Sequence, residues 1–296
     1  MYQLTKPQLK IVKFLRDLLP ILSPSFQVVI PANEKVIAKV SSNLDFYLPF
    51  RQHAPSLANA RRVIYSDVDR LSSNDGVGFF NILAFRGVFF GSPFAKSNRY
   101  RWFNSLDDWK QFKATGSKEA KNHKGEEYYV KKDCYGQHQI GRQLSLLSFY
   151  WEQRLRWNDI FNKPEKPTVT KVFRWLTSSR TGAKTNSSTT LFPNIGSLAA
   201  LLICGDLIEA GILSMPSTHE WAKSINKMGK GSRDGMMMCG LVKEDCSDEE
   251  FCVAFSSLDE ALQTELREDE KKAMDYNIIM LEHALCKIKR IGIHFF

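Results

Sequence analysis

The chain has no long hydrophobic run. Across its 296 residues the longest uninterrupted apolar stretch is Leu198–Cys204, far short of the ~20 residues a helix needs to span a bilayer. The opening Met1-Tyr2-Gln3-Leu4-Thr5-Lys6-Pro7 holds no export signal. The apolar-rich stretch Ile11–Leu22 is interrupted by Lys13, Arg16 and Asp17, which rules it out as a signal core. A membrane partner is therefore not expected. Cysteine is also scarce. The six are Cys134, Cys204, Cys239, Cys246, Cys252 and Cys286. With no export signal, reduced thiols in a nuclear or cytoplasmic protein are the expectation. His123, Cys134 and His138 lie near one another, as do Cys239, Cys246 and Cys252, but neither group contains the tight pairs of a structural zinc site. No metal and no cofactor is expected. A G-x-S-x-G elbow is missing too, and no catalytic set can be assembled from neighbouring residues.

Charge is present, and it is unevenly spread. The net charge is +9. Residues 96–190 hold 19 Lys and Arg against 9 Asp and Glu, whereas residues 191–296 hold 11 against 17. The central stretch also has five of the six tryptophans: Trp102, Trp109, Trp151, Trp157 and Trp175. A basic, aromatic-rich middle suits a polyanion. In Asn98-Arg99-Tyr100-Arg101-Trp102, cations alternate with rings, the mixture that grooves for single-stranded nucleic acid use.

Periodicity predicts an α+β protein, predominantly helical, with a mixed N-terminal part and an all-helical C-terminal part. Thr5-Lys-Pro-Gln8 forms a capping box, and Leu9, Val12, Leu15, Leu19 and Leu22 follow on one face. Phe26–Ile30 and Lys35–Val40 read as a small hairpin. Ser56–Leu71 reads as a helix. Residues 76–91, with Phe79, Phe80, Ile82, Phe85, Val88, Phe89 and Phe90 among glycines, read as buried strands. Glu127–Lys131 reads as a short strand. Gln139–Phe161 reads as a helix burying Ile140, Leu144, Leu147, Trp151 and Leu155, with Arg142, Arg154 and Arg156 on its other faces. Residues 178–190 lack any large apolar residue and divide a basic domain, 1–177, from an acidic helical domain, 191–296. A final helix is expected from about Leu258 to about Arg290, started by Ser257-Leu-Asp-Glu260.

Three local patterns bear on chemistry. Asp67-Val-Asp69 is a candidate carboxylate pair for metal-assisted phosphoryl transfer, although a helix over 56–71 turns the two apart. Leu198–Asn226 has the outline of a helix-turn-helix, but Glu220 would face the phosphates. In Ile225-Asn-Lys-Met-Gly-Lys-Gly-Ser-Arg-Asp-Gly235, glycines fall between two helices. Ser224 and Gly231 occupy positions where a P-loop needs Gly and Ser or Thr. The segment resembles instead the hairpin of helix-hairpin-helix DNA-binding motifs. That resemblance implies a phosphate held by amides around Gly229 and Gly231, with Lys223, Lys227, Lys230 and Arg233 adding charge. A helix cap by Gly229 and a tight turn is the other reading.

The leading expectation is a nucleic-acid-binding protein without sequence preference. DNA or RNA would be contacted by Arg99, Arg101, Trp102, Lys131 and Lys132, and by the Gly229–Arg233 hairpin. The alternatives are an interaction or scaffold module with a protein partner at the acidic C-terminal helices, and a phosphoryl-transfer enzyme using Asp67 and Asp69.

Overall fold

Helices and short turns make up the regular structure of this chain in a computed structural model that describes residues 4–26, 33–116, 118–136, 138–163, 165–178, 190–228 and 230–292. No strand or sheet occurs among them, so the expected α+β mixture is overturned. Lys35–Val40 lies within helix Glu34–Ser42, capped by the Asn33 side chain. Val36 and Val40, four apart, form its buried stripe, and spacing outweighs β propensity. Residues 27–30 of the proposed hairpin lie outside the described residues. Residues 76–91 form helix Val77–Ala84 and a π-turn, Phe85–Phe89, buried almost all round. A fully buried short run has the same composition as strand or helix, and here Gly78 decides it. Its Cα lies so close to the Leu71 carbonyl that a Cβ would collide. Glu127–Lys131 is a set of turns rather than a strand.

The chain divides into two compact units, Pro55–Met215 and Met1–Ala54 with Pro216–Phe296. This boundary differs from a division at 178–190. Leu191 N donates to Ser178 O at 2.8 Å, so both ends of that polar stretch are joined inside the 55–215 unit. Residues 179–189 themselves lie outside the described residues.

In the discontinuous unit, helix Lys6–Leu18 has the expected capping box, Thr5 with Gln8. It buries Ile11, Val12, Leu15 and Leu18, but Leu9 is exposed. The single C-terminal helix expected over 258–290 is three: Asp248–Glu265, Glu268–Ala273 and Ile278–Ile291. The working capping box is Ser247 with Glu250, and Ser257-Leu-Asp-Glu260 sits inside the helix. Met274, Ile278, Leu281, Leu285 and Ile288 are all buried, yet the chain turns between Met274 and Ile278. Tyr276 Oη donates to Asp259 at 2.8 Å, Asp275 adopts a left-handed φ of 51°, and Asn277 caps the next helix.

In the 55–215 unit, helix Ser197–Glu209 is buried nearly all round, as its sequence demands. Phe79 packs against Trp157, Trp175 and Phe192. The helix expected over Ser56–Leu71 is interrupted, giving Pro55–Val63 and Val68–Leu71. The helix expected over Gln139–Phe161 is likewise broken into Leu146–Gln153 and Trp157–Phe161, preceded by turns. Ile140 is 78% exposed and Leu155 is also exposed, whereas Arg142, expected on an outer face, is buried. No helix among the described residues is long and apolar enough to cross a membrane.

Candidate functional site

The predicted contact residues of the basic middle lie on a lobe folded around rings. Ser92 caps helix Pro93–Lys96 and fixes Phe94 at its centre. Phe94 meets Phe89, Tyr100, Phe112 and Tyr129 at centroid distances of 5.2–5.5 Å, and its amide donates to Tyr128 O at 2.9 Å. Ser105 caps helix Leu106–Thr115 by accepting from Asp108 N. That helix puts Trp109 against Phe89, Phe103 and Tyr129. The aromatic residues are therefore the lobe's interior, and the cations are its surface.

Trp102 is 7% exposed. The guanidinium of Arg70 lies over its ring, 4.2 Å from the centroid. It does not offer a stacking face to solvent. Arg99 and Arg101 flank Phe112 at 5.4 and 5.8 Å. Arg101 pairs with Asp108 at 2.7 Å, and Arg99 lies 4.0 Å from Glu119. Lys131 and Lys132 are exposed, as are Lys113, Lys118, Lys121 and Lys124. None of these six lysines has an ion pair among the described residues. Between 96 and 132 there are ten Lys and Arg against five Asp and Glu.

The second predicted group belongs to the other unit. Helix Thr218–Met228 is followed by helix Lys230–Cys239. Gly229 and the Lys230 side chain lie outside the described residues. Lys223 and Lys227 are exposed. Gly231 and Gly235 are accounted for by close helix packing. A Cβ on Gly231 would come 2.5 Å from Cys286 Sγ, and one on Gly235 would collide with the Leu285 carbonyl. Arg233 turns inward to Asn226 and to the Cys246 carbonyl, tying helix to loop. Asp248 of the acidic run accepts from Asn226 and lies 3.9 Å from Arg233. The helix-turn-helix outline over Leu198–Asn226 falls across the two units, with Ser197–Glu209 in one and Thr218–Met228 in the other.

Asp67 caps helix Val68–Leu71 by accepting from Arg70 N at 2.9 Å, which commits the carboxylate to backbone. No cluster of His, Cys, Asp and Glu among the described residues could hold a metal ion. All six cysteines are free. Burial pushes the Cys239 thiol up to about 11, which makes it a poor nucleophile at neutral pH.

Two buried arginines escaped the sequence reading. Arg86, in the π-turn, reaches helix Ser197–Glu209 and grips Asp206 through Nε and Nη2, both at 2.6 Å. Burial lowers the guanidinium pKa and Asp206 raises it, for a net shift upward. Tyr65 Oη donates to the same carboxylate at 2.9 Å. Burial, then the charge of Asp206, holds that phenol well above its ordinary value. The second is Arg142, 1% exposed. Its Nε donates to Val88 O at 2.9 Å and its Nη2 to Phe90 O at 3.2 Å. No local motif marks either residue, because their partners lie far away along the chain.

No protein-family model, curated protein or solved structure matches this chain.

Proposed function

We propose that this protein binds nucleic acid through the phosphate backbone, without sequence preference, and that residues 96–132 are the centre of contact. One observation carries the reading: ten cations against five acids surround a closed aromatic core, and six exposed lysines have no carboxylate partner among the described residues. Cations that no protein acid neutralises are free to displace the counterions of a polyanion. The burial of Trp102 shapes the mode. Contact is electrostatic, and base stacking on that ring is not part of it. Phosphate contacts position a protein without reading sequence.

The test is a binding titration with a fluorescent duplex and a single-stranded RNA over a range of KCl. Log affinity should fall linearly with log salt, by about 0.9 per phosphate contact on duplex DNA. Reversing Lys113, Lys118, Lys121 and Lys124 to Glu should lower affinity alike for unrelated sequences and flatten the salt slope. Reversing Lys131 and Lys132 tests the far end of the same lobe, and reversing Lys223 and Lys227 tests the other unit. No binding at low salt, where screening is weakest, sinks the proposal.

A further inference from the structure

Arg86 and Arg142 hold the same kind of buried charge in different ways. Arg86 is neutralised by Asp206. Arg142 reaches only backbone carbonyls, and its Nη1 finds no acceptor in the protein. No described Asp or Glu oxygen comes within 4.0 Å of it. A guanidinium keeps its proton in any protein environment. A buried charge without a counter-charge costs several kcal/mol. Selection for packing alone would place an apolar residue here.

The groups beside Arg142 are of one chemical kind. Gln139 accepts from Arg142 N through its carbonyl at 3.1 Å, and its side-chain Oε1 is buried without a partner. Asn194 lies against the same turn: a Cβ on Gly141 would stand 3.0 Å from its Oδ1. Its Nδ2 is likewise buried without a partner. Asn194 is also held at a left-handed φ of 62°, a strained conformation that clusters at ligand sites. Pro193, the residue before it, accepts from Tyr150 Oη. Tyr135, with its ring 5.2 Å from the Arg142 guanidinium, is fixed by donating to Arg86 O at 2.9 Å. The carbonyls that hold Arg142 belong to the end of the π-turn and the residue after it, an irregularity frequent at functional sites. Gln139 and Asn194 are half-buried, which puts the cluster at the margin of the core.

We propose that Arg142, Asn194 and Gln139 bind one phosphate group that carries a hydroxyl. Arg142 Nη1 and Asn194 Nδ2 donate to its oxygens, and Gln139 Oε1 accepts from its P–OH. Inorganic phosphate and a terminal phosphate monoester share this chemistry. Sulfate has the shape and charge but no hydroxyl at neutral pH, and an internal phosphodiester has none either. The site is independent of nucleic-acid binding by the 96–132 lobe.

The experiment follows the melting temperature of the full chain near pH 6, where phosphate monoesters keep a hydroxyl, with phosphate, sulfate and chloride at equal ionic strength. Phosphate should raise it saturably, and sulfate much less. Arg142→Met should abolish the response. Asn194→Ala should weaken the midpoint about tenfold, the effect of losing roughly one good hydrogen bond. Gln139→Leu should erase the preference for phosphate over sulfate. If Arg142→Met does not fold, the two margin variants carry the test. Equal responses to all three anions, or wild-type responses from Asn194→Ala and Gln139→Leu, overturn the proposal. Competition by a 5′-phosphorylated dinucleotide, but not its 5′-hydroxyl form, assigns the monoester as the source. Phosphate binding with no such competition assigns the free anion.

Discussion

The two units differ in what they do with charge. Pro55–Met215 has 23 Lys and Arg against 14 Asp and Glu, whereas the discontinuous unit has 18 against 18. The whole net charge of the protein is thus a property of one unit. Divided by position along the chain, the C-terminal third looks like an acidic body of its own. Divided by packing, its acids meet cations from the N-terminal segment. Arg16 Nε donates to Glu270 at 2.9 Å, and Lys287 on the last helix donates to the carbonyls of Asp45 and Phe46 at 3.1 and 2.9 Å. Acids matched within their own unit give a basic partner little to bind. The lysines of 96–132 have no such match, and that contrast underlies the functional proposal.

The interiors differ as well. The 55–215 unit encloses the Arg86–Asp206 pair among aromatic rings, so removing one member should have the largest effect of any change considered. Asp206→Ala leaves a charged guanidinium and the Tyr65 hydroxyl buried without their acceptor. The expected cost is about 3–5 kcal/mol. Five of the six tryptophans lie in this unit, so its denaturant midpoint can be followed by tryptophan fluorescence. The double variant Arg86→Met/Asp206→Leu removes both charges and should cost far less than the single one. A single variant within about 1 kcal/mol of wild type would show that the pair is not what holds this interior.

The other unit depends on close approach between helices. Gly235→Ala puts a methyl group onto the Leu285 carbonyl. Backbone cannot rotate away as a side chain can, so the helices must separate, at about 1–3 kcal/mol. Amide exchange in Ile278–Ile291 should accelerate while the tryptophan transition of the 55–215 unit stays in place. A shift in that transition instead would mean that the two units do not unfold as separate bodies.

What could be read from the sequence follows from the range of the forces involved. The Thr5–Gln8 box was legible because its partners are three residues apart, and so was the buried helix Ser197–Glu209, which is apolar on every side. Val77–Phe89 was not legible as helix, because a run buried all round has no period. The last helix was misjudged for a different reason. Its apolar stripe is real, but the turn at Met274–Asn277 depends on Tyr276 reaching Asp259, an interaction no local window contains. The lysines of the candidate interface were visible as composition. The burial of Trp102 and of Arg142 was not, since Arg70 and the carbonyls of Val88 and Phe90 are distant in sequence. Arg142 is the clearest case, placed outside by helical spacing and inside by the break that ends the helix.

The smallest expected effect concerns Lys287, and it sets the neutral unit apart by its response to pH. The residue is 2% exposed. Burial, with Arg290 nearby, holds its amine well below the ordinary lysine value, while Cys286 and Asp45 act the other way. In the unfolded chain the amine titrates near about 10.4. Between the lowered folded value and that point, the unfolded state holds a proton that the folded state lacks. Unfolding free energy therefore rises with pH across this window, by at most about 1.4 kcal/mol per pH unit. Cys286 opposes the trend: burial, then Glu282, raises its thiol, which removes stability as pH climbs. Glu282 is raised by burial too, offset by its hydrogen bond with Cys286 and by Arg51 and Arg290. The useful measurement is consequently a difference. Subtracting the stability of Lys287→Met from that of wild type cancels the groups common to both. The remainder should increase with pH through the window and level off above about pH 10.4. A difference that stays flat from pH 6 to 10 would mean that Lys287 keeps its proton in the folded unit, with the Asp45 and Phe46 carbonyls stabilising an ammonium rather than an amine.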